Sequence, residues 1–308
     1  MDKTVFSNNV GHFEIQKKIM SSFQRNRLSH AYLFYGTEGT GKEAFAIQLA
    51  KLLNCEKENF QICDSCSQCL KIDKLQHPDV RFIFPIPSKK NLKEEDFLKA
   101  LNEKAKNPYK RVTFTGKNTF ISIDTIRDLK KESGFKTYEG RKKVYIFSEA
   151  DQLRPEAANA MLKLLEEPPA NLMLILITSN IHKIIPTIKS RCQIMRFRQL
   201  PEEQIQKIVS RYEPEADKKN LRLLIRLAGF NIKRVFDFLE FDVLEMREYS
   251  LEFLRKLTLL NRSQELMAIL EKLSGQKGRN EARQILWFLL IWFLKLSNAP
   301  VFSKFSYC

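Results

Sequence analysis

The sequence predicts an α/β protein in which a mostly parallel sheet, covered by helices on both faces, carries a phosphate-binding loop. Three observations lead there. The stretch Gly36 to Glu43 (GTEGTGKE) has the glycines and lysine of the pattern G-x-x-x-x-G-K-[ST]. Short apolar runs near residues 31, 80, 144, 172 and 193 read as strands separated by helical stretches, the alternation that builds a parallel sheet. From Pro201 the strand pattern stops and helical periodicity takes over.

The loop organises the rest. In the intact pattern, backbone amides and the start of a helix cradle phosphates, the lysine reaches the outer ones, and the final hydroxyl holds Mg²⁺. Gly36, Gly39, Gly41 and Lys42 are therefore the candidate phosphate-binding residues. Glu43 stands where the hydroxyl belongs, and a carboxylate so close to phosphates is expected to repel them. The pattern alone also fits a plain tight turn with a surface lysine. Its flanks favour the phosphate loop: His30 to Tyr35 has strand character, and Ala44 to Leu53 (AFAIQLAKLL) reads as a mostly buried helix.

At 308 residues and 44% hydrophobic content the chain can bury a sizeable core and divide into two or three domains. No charged-then-apolar segment opens it, and its longest apolar run, Ile285 to Leu294, is about half of the ~20 residues needed to cross a bilayer. A cytoplasmic protein with no membrane partner is the expectation. The 52 basic residues against 36 acidic give a net charge of +16, which favours an anionic partner, nucleic acid before membrane surface. Ser88 to Asn118 is the clearest basic stretch, with nine Lys/Arg against four Asp/Glu.

In chain order, a turn at Gly11 leads into an amphipathic helix carrying Ile15, Ile19 and Phe23, then the first strand, the loop and its helix. Cys55, Cys63, Cys66 and Cys69 follow, the last three as C-x-x-C-x-x-C. Four thiolates so spaced, with no histidine among them, suit a closed tetrahedral Zn²⁺ site of structural type; free or redox-active thiols are the alternative. His77 is expected to be a satisfied loop residue. Val80 to Phe84 forms the second strand, ended by Pro85 and Pro87. The lysine-rich segment to Asn118 reads as a solvated insertion with one short helix around Leu92, Leu98 and Leu101, and phosphate contact is its sharper reading. Ile121 to Phe135 is the next helix, with Ile126 and Leu129 on its apolar side.

After Gly140, Lys143 to Asp151 (KVYIFSEAD) has the form of a second nucleotide motif, a strand that carries carboxylates to Mg²⁺ and the attacking water. Its first acidic position is Ser148. With Glu43 and Ser148 both altered, Mg²⁺-assisted phosphoryl transfer is not expected here. Glu149 is left where a water-orienting carboxylate would sit, and Asp151 reads as a turn or capping residue.

From Asp151 to Pro169 (DQLRPEAANAMLKLLEEPP), through the strand Leu172 to Thr178, to Ser190-Arg191-Cys192, the sequence resembles the clamp-loader subunits of bacterial DNA polymerase III, which are of the AAA+ class. LSHAYLFYG before the loop and the four-cysteine knuckle after it extend the resemblance over roughly residues 1 to 240. The degenerate motifs resemble the delta-prime branch, whereas gamma/tau subunits carry intact ones.

The resemblance implies Arg191 as an arginine finger, the one candidate catalytic residue, acting on ATP bound by a neighbouring subunit; Ser190 would frame it, with Cys192 as a small buried residue. It implies a polar sensor at Thr178-Ser179-Asn180 and leaves a second sensor open between Lys233 and Arg234. The expected domains are an AAA+ domain at 1–198 with a zinc module at 55–69, a helical lid at 199–241 and a collar-like helical domain at 242–308. Expected partners are gamma/tau and delta subunits, with a sliding clamp and primed DNA engaged through the complex. The expected cofactors are structural zinc and, in the degenerate loop, ATP or ADP without Mg²⁺-dependent hydrolysis. The alternatives are an ATP-hydrolysing subunit of gamma/tau type and a zinc-containing DNA-binding protein.

Overall fold

The computed structural model describes residues 11–57, 61–88, 92–110 and 118–240, together with Phe6, Val112, Phe114 and Arg255. The chain divides into two compact units, Met1–Phe236 and Asp237–Cys308. The expected domain at 242–308, with its apolar run Ile285 to Leu294, lies almost wholly outside the described residues.

Among the described residues, five strands form one parallel sheet. In chain order they are β1 (Ala31–Tyr35), β2 (Val80–Ile83), β3 (Lys143–Phe147), β4 (Leu172–Thr178) and β5 (Gln193–Arg196), and in space they run β2-β3-β4-β1-β5. Every residue of β3 and β4 is buried, as central strands covered on both faces require. The edge strand β5 buries only Met195. All five strands lie where the apolar runs predicted them.

The chain leaves β1 toward one edge and comes back past it from β4 to β5. That reversal places a crevice at the carboxyl end of β1, where open α/β sheets bind ligands. The helix α2 (Lys42–Asn54) starts there and is buried along its whole length. Phe45 on α2 packs edge-on against Phe34 of β1 with ring centroids 5.8 Å apart, and Phe197 closes the cluster at 4.8 Å from Phe34. On the opposite face Leu33, Tyr145, Leu174 and Leu176 pack under Ile126 and Leu129 of α5 (Ile123–Ser133) and Met161 and Leu165 of α6 (Pro155–Glu166).

α1 spans Phe13–Gln24 and buries Ile15 and Ile19 as its pattern predicts. The short α3 (Ser67–Asp73) follows the cysteines. α5 is shorter than the expected span 121–135: Ile121 bridges to Leu153, and the Ser122 hydroxyl accepts from Thr125 N–H, so the helix starts at Ile123. α7 is a single turn, Pro186–Lys189. Past the sheet come α8 (Glu202–Tyr212), α9 (Lys218–Leu227) and α10 (Ile232–Glu240).

The lysine-rich insertion departs from expectation. Its helix, α4 (Glu94–Lys106), is the one expected around Leu98 and Leu101 but runs for 13 residues and starts after Leu92, and an antiparallel bridge between Ile86 and Phe120 closes the insertion's base. It is not simply a solvated excursion. Lys104 and Tyr109 are each 2% exposed, because they run inward to the phosphate loop.

Candidate functional site

The loop between β1 and α2 is held from several sides. Gly39 has φ +72°, and a Cβ there would lie 1.8 Å from Asn231 Oδ1, so a side chain is excluded both by backbone conformation and by its neighbour. Ile232 N–H donates to Gly39 O at 3.0 Å, which ties the start of α10 to the loop. A Cβ on Gly36 would meet Phe197 O at 2.1 Å.

Lys42 is 6% exposed and turns back on its own loop. Its ammonium donates to Gly36 O and Thr37 O, both at 2.7 Å, and to Thr40 Oγ1 at 3.2 Å. All three of its protons are taken. Burial pulls its pKa down to about 8, with Lys233 adding repulsion and Glu43 opposing it.

The two altered motif positions meet. Ser148 Oγ donates to Glu43 Oε1, and Lys104 Nζ, arriving from the insertion, donates to Glu43 Oε2. Lys104 also donates to Pro108 O at 2.7 Å and Lys110 O at 2.8 Å, so its ammonium too is fully satisfied. Lys233 Nζ stands 3.9 Å from Glu43 and 3.5 Å from Glu38. Burial would raise the Glu43 carboxyl, but the Lys104 and Lys233 charges and the two hydrogen bonds hold it down at about 2. The carboxylate expected to repel phosphates is thus paired with Lys104 and faced by Lys233 within the protein. Of the two residues left open for a second sensor, Lys233 is the one that lines the cavity beside the loop.

That cavity, about 310 Å³, is bounded by the loop, by Tyr109, by Glu149, Asp151 and Lys183, and by Thr178, Ser179 and Asn180 at the end of β4. Asp151 lies in the short turn Ala150–Gln152, and its Oδ1 accepts from Thr178 Oγ1 at 2.6 Å. Glu149 has φ +50°, a left-handed conformation unusual for a residue with a side chain, and borders the cavity.

Arg191 does not line this cavity. It follows α7 at the surface, where its guanidinium pairs with Glu166 at 2.9 Å and donates to Thr187 O at 3.0 Å and Ser190 Oγ at 3.4 Å. Cys192 is half-buried against the core, and burial pushes its thiol up to about 12.

Residues 11–201 match the family described as DNA polymerase III, delta subunit. The chain belongs to that family. A DNA polymerase III subunit delta′ from Bacillus subtilis is 35% identical over 62% of this chain and 49% of its own length. A subunit gamma/tau from Mycoplasma pneumoniae is 31% identical over 73% of this chain and 28% of its own, and a Bacillus subtilis subunit tau is 28% identical over 76% and 37%. The matched part of this delta-family chain thus spans about half or less of the length of these relatives.

Within the delta-family domain the cysteines also come together. The sulfurs of Cys55, Cys63, Cys66 and Cys69 all lie within 4.8 Å of one another, a cluster able to bind a metal ion. The Cys63 and Cys69 sulfurs are 3.9 Å apart, and a tetrahedral site with Zn–S bonds of about 2.3 Å sets its sulfurs roughly 3.8 Å apart. Cys66 N–H donates to Cys63 Sγ at 3.3 Å and Cys69 N–H to Cys66 Sγ at 3.5 Å. Burial opposes thiolate at Cys63, but the N–H groups of Ser65 and Cys66 bring it to about 6. His77 is no part of the cluster: its ring bonds Gln68 and accepts from Asp79 N–H.

The sequence reading missed Lys104, Tyr109 and Asn231. A signal existed for the first, because a buried acid at position 43 demands a cation. Nine candidates within the insertion gave no means of choosing among them.

Proposed function

We propose that this chain is a delta-prime-like subunit of a DNA polymerase III clamp loader, of the AAA+ class, that does not itself hydrolyse ATP. One observation carries the reading: Glu43 and Ser148, the two positions that should hold Mg²⁺, hydrogen-bond to each other, and Lys104 pairs with the remaining oxygen of Glu43. Without those ligands the ion that neutralises charge on a transferred phosphoryl group has no seat. The match to the delta family and the identity with a delta′ subunit support the same reading.

The chain's contribution to catalysis would then be Arg191, directed at ATP in a neighbouring gamma/tau subunit. The position supports this. Arg191 is outside its own cavity, and its half-exposed pairing with Glu166 is of the kind worth at most ~1 kcal/mol, easily exchanged for a phosphate. Residues 1–198 would form the AAA+ domain, 199–241 the lid and 242–308 the collar. The four cysteines would hold structural Zn²⁺, and delta, gamma/tau, sliding clamp and primed DNA would be the partners in the cytoplasm. With a net charge of +16, DNA contacts would be chiefly to phosphate and sensitive to salt.

The test is reconstitution with the chain's own gamma/tau and delta partners, clamp and primed DNA. Arg191→Ala is expected to lower stimulated ATP turnover by about 10³-fold at the affected interface while the complex still assembles. Unchanged turnover in an intact assembly would remove the finger from the account.

A further inference from the structure

The ammonium of Lys104 is surrounded by three oxygens: Glu43 Oε2 from the phosphate-loop helix, and Pro108 O and Lys110 O from the turn that follows its own helix. Carboxylate and backbone carbonyl oxygens are the donor types that hard divalent cations take, and these three would be part of the roughly six or more oxygens such an ion gathers, with water completing the set. The carboxylate belongs to the position where an intact phosphate loop would place its Mg²⁺ hydroxyl, and its other oxygen is held by Ser148, the altered position of the second motif. Lys104 is therefore placed at the meeting point of both degenerate metal-holding positions, delivered there by a helix from another part of the chain.

We propose that Lys104 is the site's own counter-cation: its ammonium fills the oxygen cage at Glu43, supplies the positive charge that a divalent ion would supply, and keeps such an ion out. This rests on the reading of the loop as a degenerate nucleotide site only for its significance. The cage and its occupant are a property of this chain whether or not nucleotide binds. The proposal makes the insertion's role specific. α4 brings a fixed charge to the pocket, and Phe82 faces the same ammonium with its ring centroid 5.7 Å away.

The test uses the full chain and needs no nucleotide. Lys104→Ala empties the cage and leaves the Glu43 carboxylate with only Lys233, 3.9 Å away, and the Ser148 hydroxyl beside it. Mn²⁺, a probe that prefers oxygen to thiolate donors, is expected to raise the melting temperature of this variant by roughly 5 °C at saturating concentration, and ammonium to raise it less. Wild type should not respond, and neither should the double variant Lys104→Ala with Glu43→Gln. Equal responses in wild type and Lys104→Ala, or none in Lys104→Ala, overturn the proposal. Should Lys104→Ala fail to fold, wild type decides the matter by paramagnetic broadening. Mn²⁺ should leave the resonances of Glu43 and Ser148 sharp, and selective broadening there would show that the cage admits the ion despite Lys104. A cage that admits the ion would remove the support Lys104 lends to the non-hydrolysing reading, whereas turnover by the chain tests that reading by itself, so the two can fail separately.

Discussion

Glu43 is 8% exposed, and a lone carboxylate so placed would ordinarily stay protonated. Lys104, Lys233 and Ser148 reverse that, moving it from 4.5 to about 2. A carboxyl group depressed on folding contributes stability that is fully present above about pH 4.5 and is lost as pH falls toward 2. The contribution is on the order of 3 kcal/mol. Denaturant titrations across this window should therefore show a steeper loss for wild type than for Glu43→Gln. Parallel curves would mean that Glu43 is not charged in the folded protein. Above pH 6, Lys104→Ala should cost about 3–5 kcal/mol, since it strands a buried charge, whereas replacing one partner of an exposed pair such as Arg81–Glu132 should cost less than ~1 kcal/mol. The sequence shows both altered positions, 43 and 148, but not their contact. They are 105 residues apart, and only the sheet order places the ends of β1 and β3 near each other.

At the scale of elements, local pattern was a good guide where local pattern decides. Continuous apolar runs placed all five strands, and the four-cysteine spacing brought four sulfurs together. The insertion was misread because its composition is that of a surface helix, while its position is set by one lysine and one tyrosine reaching a distant loop. The loop after α5 is likewise set by a contact distant in sequence. Buried Asp79 accepts N–H bonds from Tyr138, Glu139 and Gly140 at 2.8–3.0 Å, and although burial would raise its carboxyl, these bonds lower it. Asp79→Ala should speed hydrogen exchange at those amides by about 10-fold or more, through the loss of bonds worth ~1–3 kcal/mol, and leave the amides of α2 protected. Uniform loss of protection would show a global role for Asp79 instead. The cysteine cluster carries its own prediction. Metal analysis should find one zinc per chain, and Cys63→Ser with Cys66→Ser should abolish it and lower the melting temperature. Metal-free protein melting identically would leave the cluster as four thiols.

For the whole molecule, the phosphate loop, its lysine, the altered positions and the insertion form one internally satisfied pocket, while Arg191 stands outside it at the surface. That division suits a subunit that positions and assists without turning over ATP. ATP hydrolysis by the isolated chain, in saturating Mg²⁺ and compared with Lys42→Ala, tests the account most directly. We expect no turnover above that of the variant. Mg²⁺-dependent turnover that disappears with Lys42→Ala would contradict it, and would show that Glu43, Ser148 and Lys104 rearrange to admit the ion.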